Sequence, residues 1–78
     1  MNEVINGIEI RNEFKAHELN DAGAARVADV RKLFSVHLNN VSSVVGEGGR
    51  EMAIVKTKLE EACMFAIRAI SVQRENQK

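Results

Sequence analysis

The sequence predicts an all-α fold: an antiparallel two-helix hairpin with an N-terminal arm, assembled into a compact homo-oligomer. Three observations carry that prediction. Proline is absent, the only aromatics are three phenylalanines, and the β-branched residues do not alternate with polar ones. Two long segments repeat apolar residues in steps of three and four, with "GEGG" at 46–49 between them. The chain has 78 residues and a single cysteine, Cys63, so a small domain must find its bracing without an internal disulfide. Partner copies are the remaining source of buried surface.

Residues 1–19, "MNEVINGIEIRNEFKAHEL", carry no sustained helical stripe. Gly7 interrupts the run Val4, Ile5, Ile8 and Ile10, which predicts an arm that is partly extended or holds a short helix. Residues 20–78 form the hairpin domain, expected to carry oligomerisation and ligand binding. Asn20 or Asp21 caps its first helix, with the Asp21 carboxylate near the positive end. Val27, Val30, Phe34, His37, Val41 and Val44 then form a seam of heptad type, widened by Leu33 and Leu38. Gly46 suits the left-handed position that closes such a helix. The second helix is predicted from about Arg50 to Gln73, with a seam of Met52, Val55, Leu59, Ala62, Ala66 and Ala69. Cys63, Ile67 and Ile70 make a parallel stripe, and Met64 and Phe65 cover much of what remains. A helix apolar on nearly every side needs several neighbours to bury it. The polar tail "QRENQK" is expected to fray.

Eleven basic residues balance eleven acidic ones, so no net field draws DNA, RNA or an anionic membrane. An anion must be gripped by local geometry instead. There is no long apolar run or leader pattern, which predicts a cytoplasmic protein. His17, His37 and Cys63 are too few to build a structural zinc site, and no cofactor is expected. His37 falls on the seam, where a hydrogen-bonded core histidine is the expectation.

Arg68 sits in the most apolar stretch of the second helix, on a face shared with Thr57, Met64 and Ser71 or Val72. Either it pairs with Glu60 or Glu61 of a neighbour or snorkels to water, or copies of it converge near a symmetry axis. Converging guanidinium groups repel, and a multiply charged anion with phosphate oxygens relieves that repulsion. Lys56 and Lys58 flank Thr57; Lys56 reads as part of a solvated face, while Lys58 lies on a different side that can reach a ligand. In "RNEFKAH" at 11–17, Arg11, Lys15 and His17 surround Phe14. That grouping either stacks a base and holds its phosphate or simply anchors a soluble arm. Arg31 lies off the first seam, on a face that reads as solvated. "GEGGRE" lacks the signature of a P-loop, and no Ser-His-Asp, HExxH or CxxC pattern is present. The residues offer no catalytic constellation, and the chain is read as not an enzyme.

The segment "REMAIVKTKLEEACMFAIRAI" resembles the C-terminal helix of the phage anti-CBASS sponge family, whose helical hairpin domain also occurs in a Thoeris-blocking sponge. Family members read "IAKTKLKEASMWACRAV" in this region. The matching positions are Ala53, Lys56, Thr57, Lys58, Leu59, Glu61, Ala62, Met64, Ala66, Arg68 and Ala69. Upstream, "NEFKAH", a spacer and "ARVADVRK" are similar to the family's first block, so the resemblance spans roughly residues 11–71. It implies a protein that binds cyclic oligonucleotide messengers of bacterial immunity and holds them intact in the cytoplasm of an infected host. It implies compact oligomers, typically hexamers, with cyclic dinucleotides bound between protomers and, in some members, cyclic trinucleotides near three-fold axes. The arginine of the trinucleotide site falls on Arg68, and the basic residue of the dinucleotide site falls on Arg31. The stacking aromatic of the arm falls on Ala16, a departure that leaves Phe14 or His17 to stack. The ligand-binding set implied is therefore Arg68, Arg31, Phe14, His17, Ser71 and Lys58. A structural or protein-binding oligomerisation hairpin without a small-molecule ligand is the competing reading.

Overall fold

Asn20 opens the first helix as its sequence position suggests. Its backbone is extended, and its side-chain carbonyl accepts a hydrogen bond from the Gly23 N–H at 2.8 Å, satisfying one of the amides that a helix start leaves unpaired. Helix α1 then runs Asp21–Val45, with Asp21 in the first turn. Gly46, at φ 94°, ends it, and its N–H reaches back to the Ser42 carbonyl at 2.7 Å. A side chain would be strained at that φ. Helix α2 runs Arg50–Ser71 and packs back along α1, so the hairpin is as predicted. The computed structural model describes residues 4–9 and 18–78.

The face that each helix buries differs from the heptad reading. Among the described residues the buried apolar side chains of the core are Val27 and Met52. Val30, Phe34, Leu38 and Val41 are half-buried on α1, as are Val55, Leu59, Cys63, Ala66, Ile67 and Ile70 on α2. His37, Val44, Ala62 and Ala69 are exposed, Val44 by 86%. The correction has a simple cause. A straight helix has 3.6 residues per turn, so a strict seven-residue repeat drifts by about 20° per heptad across its surface. The inward stripe therefore slides forward by one residue, from 37 to 38 and from 62 and 69 to 63 and 70. His37 is a solvent-facing histidine rather than a core one.

The arm departs from an all-α fold. Strands β1 (Val4–Ile5) and β2 (Ile8–Glu9) pair antiparallel, Val4 with Glu9 and Ile5 with Ile8. Asn6 and Gly7 connect them with φ of 51° and 77°, the two positive values that a tight hairpin turn of the Asn-Gly kind needs. Gly7 is thus a turn residue and not an interruption.

The tail does not fray. Gln73 leads into a 3₁₀ turn, Arg74–Asn76, and Gln77 bridges antiparallel to Leu19. Asn76 is wholly buried. Its Nδ2 donates to the Ile70 carbonyl at 3.0 Å and to Gln73 Oε1 at 2.8 Å, and its Oδ1 accepts from the Arg26 guanidinium. Gln77 Nε2 donates to the Ser71 carbonyl at 2.9 Å. Polar composition suggested solvation, but these amides serve the carbonyls that the end of α2 leaves without helical partners. Asn20 completes the junction, its N–H donating to the Asn76 carbonyl at 2.9 Å and its Nδ2 to that of Glu75 at 2.8 Å.

Candidate functional site

Helices α1 and α2 leave an open groove between them of about 320 Å³. Arg31, Phe34, Ser35 and Leu38 line it from α1, and Lys56, Leu59, Glu60 and Cys63 from α2. Both sets follow the spacing i, i+3, i+4, i+7, so each helix presents one continuous stripe. The floor is apolar and the margins carry two cations and one carboxylate. Ser35 spends its hydroxyl proton on the Arg31 carbonyl at 2.8 Å. Among the described residues the Arg31 guanidinium has neither an ion pair nor a side-chain hydrogen bond, which leaves its five donors available.

Lys56 was read as a solvated residue, yet it borders this groove with its side chain 37% exposed. The signal was present in the sequence: Lys56 lies four residues after the buried Met52 and three before Leu59, on the inward stripe. Its partner is Glu47, in the turn, at 2.6 Å, and not Glu60. Lysine N-terminal to glutamate at i,i+4 is the weaker helical arrangement, and the turn brings Glu47 into better reach. The Lys56 hydrogen bond holds the Glu47 carboxyl below the ordinary carboxylate range.

Arg68 occupies a different face. With Glu61, Met64 and Phe65 it borders a depression of about 170 Å³ on α2. Met64 and Phe65 are 69% and 68% exposed there. Arg68 has no ion pair among the described residues; Glu61 is taken by Lys58 at 3.7 Å. Lys58 lines a third depression with Arg50, Ala53, Ile54 and Thr57. Ser71 is half-buried, its hydroxyl donating to the Arg68 carbonyl at 2.9 Å. Phe14 and His17 lie outside the described residues. Among the described residues a single chain therefore does not gather Arg31, Lys58 and Arg68 into one pocket. It displays Arg31 in the groove and Arg68 on an outer face, beside the exposed side chains of Met64 and Phe65.

Among the described residues no helix is long and apolar enough to cross a membrane. Among the described residues no cluster of histidine, cysteine and carboxylate side chains could hold a metal ion. The family model described as "Acb2/Tad1, hairpin domain" matches residues 6–71, most of the chain. No curated protein and no solved structure matches.

Proposed function

The chain belongs to the Acb2/Tad1 hairpin-domain family of anti-CBASS and anti-Thoeris sponges, and on that premise we propose that it is a phage anti-defence sponge. It binds cyclic trinucleotides, and cyclic dinucleotides where the arm permits, and sequesters them uncleaved in the cytoplasm of the infected cell. The observation that carries this reading is the placement of two guanidinium groups, Arg31 and Arg68, without an ion pair among the described residues and each beside exposed or groove-lining apolar surface. Unpaired guanidinium forks suit phosphate oxygens, and neighbouring apolar surface suits bases.

Self-association is part of the proposal. Two buried apolar side chains among the described residues make a thin core for a chain of this length. Leu33, Val36, Ile54, Met64 and Phe65 are all exposed, and large apolar side chains left uncovered in this number suit burial against further copies. In a homo-oligomer, typically a hexamer in this family, residues 20–78 supply the contacts and the arm of residues 1–19 supplies Phe14 or His17. Copies of Arg68 brought together would repel until a triply anionic ring lies between them. Lys58 and Ser71 border the same helix and complete the ligand set.

The deciding experiment is calorimetry of the purified protein with a panel of cyclic di- and trinucleotides, followed by heating and chromatography of the released ligand. A sponge returns the molecule unchanged, an enzyme returns linear product, and an oligomerisation module without ligand gives no heat.

A further inference from the structure

The Glu47–Lys56 pair joins the interhelical turn to the groove. We propose, on the sponge reading above, that Lys56 is a second phosphate-receiving cation of the α1–α2 groove, held in reserve by Glu47 until an anionic ligand displaces the carboxylate.

Position is the first argument. Lys56 and Arg31 line the same groove from opposite helices. Counted from the turn at 1.5 Å per residue, they stand about 12 Å apart along the hairpin axis. Both have long stems that carry a charge toward the ligand. One phosphate cannot meet both at full strength, whereas a ligand with two or more phosphates can, and its bases can lie on Phe34, Leu38 and Leu59 between them.

Availability is the second. The side chains of Lys56 and Glu47 are 37% and 70% exposed, and an exposed pair of this kind is weakly held. A phosphate oxygen replaces a carboxylate oxygen on Nζ at little cost, with no bond made or broken beyond the hydrogen bond. Glu47 stands in a turn of three glycines, and its released carboxylate returns to water at the tip, away from Arg31. Glu60, one turn beyond Lys56, also borders the groove and has no ion pair among the described residues. Lys56 already prefers Glu47 to it, so the exchange opens one specific contact.

The test is a double-mutant cycle read by calorimetry with cyclic GMP–AMP, cyclic tri-AMP and, as a single-phosphate control, AMP. Lys56→Met weakens cyclic GMP–AMP, the dinucleotide that this groove receives, about tenfold, the value of one charge-assisted contact, and barely alters cyclic tri-AMP or AMP. Glu47→Gln tightens the same ligand about two- to fivefold, because the competitor is gone. In the Lys56→Met background Glu47→Gln has no effect. Circular dichroism and light scattering show that each variant keeps its helices and assembly, and Lys56→Arg retains affinity. Unchanged affinity in Lys56→Met, or equal tightening by Glu47→Gln with and without Lys56, overturns the proposal and leaves the sponge reading standing. Should neither cyclic ligand bind the unmodified protein, the sponge reading falls. Pyrophosphate then tests the exchange alone, through the Lys56 Nζ resonance: a shift that Glu47→Gln enlarges supports it, and no shift overturns it.

Discussion

Gly23 and Asn76 are in direct backbone contact: a Cβ built on Gly23 would lie 2.9 Å from the Asn76 Cβ and closer still to its carbonyl oxygen. The start of α1 and the end of the chain are thereby packed so tightly that only hydrogen fits between them. Asn20 and Arg26 hold the same residue from either side. The junction closes the open end of the hairpin, as the glycine turn closes the other.

Gly23→Ala should force that junction apart. Overpacking a site of this kind costs about 1–3 kcal/mol, which lowers the melting temperature by several degrees in a chain of this size. Thermal denaturation at a fixed protein concentration measures it. Faster hydrogen exchange should follow at the Asn20 and Lys78 amides, which donate across the junction to Asn76 and Glu18.

Asn76→Ala removes the groups that serve the Ile70 carbonyl, Gln73 and Arg26. Leaving buried polar partners unsatisfied costs about 1–3 kcal/mol for each group left unpaired. Asn76→Asp should be harmful as well, since a carboxylate accepts but cannot donate to Ile70. A melt in which both variants match the unmodified protein would show that the tail adds nothing to stability.

Arg68→Ala should weaken cyclic trinucleotide binding at least about tenfold while light scattering reports an assembly of unchanged size. Arg68 carries no ion pair among the described residues, so its loss leaves no carboxylate stranded within the chain. Equal affinity in a correctly sized oligomer would remove Arg68 from the site.

Arg31→Ala should weaken cyclic dinucleotides selectively, because Arg31 lines the groove and Arg68 an outer face. Equal loss for di- and trinucleotides would argue for one shared site.

Phe65→Glu places a charge on an exposed apolar patch beside Met64. If copies of the chain bury that patch, the change should lower the mass seen by light scattering and leave the helical signal largely in place. An unaltered mass would move the interface to another face.

Glu47 gives the fold a small acid sensitivity with a defined sign. Its folded pKa lies below the ordinary value of 4.5 because of the Lys56 hydrogen bond. The contribution is therefore complete above the unfolded value and is lost as pH falls through the lower, folded one. Comparing melts of the unmodified protein and Glu47→Gln from neutral pH down to acid isolates it. The difference between them should shrink only below the unfolded pKa.

The two long helices were legible because their signals are local. Asn20, Gly46 and the recurrence of apolar residues act over one or two turns, and the observed bounds Asp21–Val45 and Arg50–Ser71 follow them closely. Asn6-Gly7 was just as local a signal, but strands of two residues each are too short to show an alternation, so the arm read only as partly extended. Arg68 stood out by its place in an apolar stretch and Arg31 only through the family resemblance, and the structure puts them in separate depressions. Lys56 read as solvated because its partner, Glu47, lies in the turn, nine residues away, where no helical spacing points to it.

By itself the sequence determined which segments form the two long helices and where each starts and stops. Only the tertiary structure decided which stripe faces inward, which carboxylate holds Lys56, and that the polar tail folds. The reason is range: backbone hydrogen bonding and side-chain periodicity are settled within a few residues. Asn76, by contrast, meets Arg26 across 50 positions of chain, a contact that exists only once the hairpin has brought its ends together.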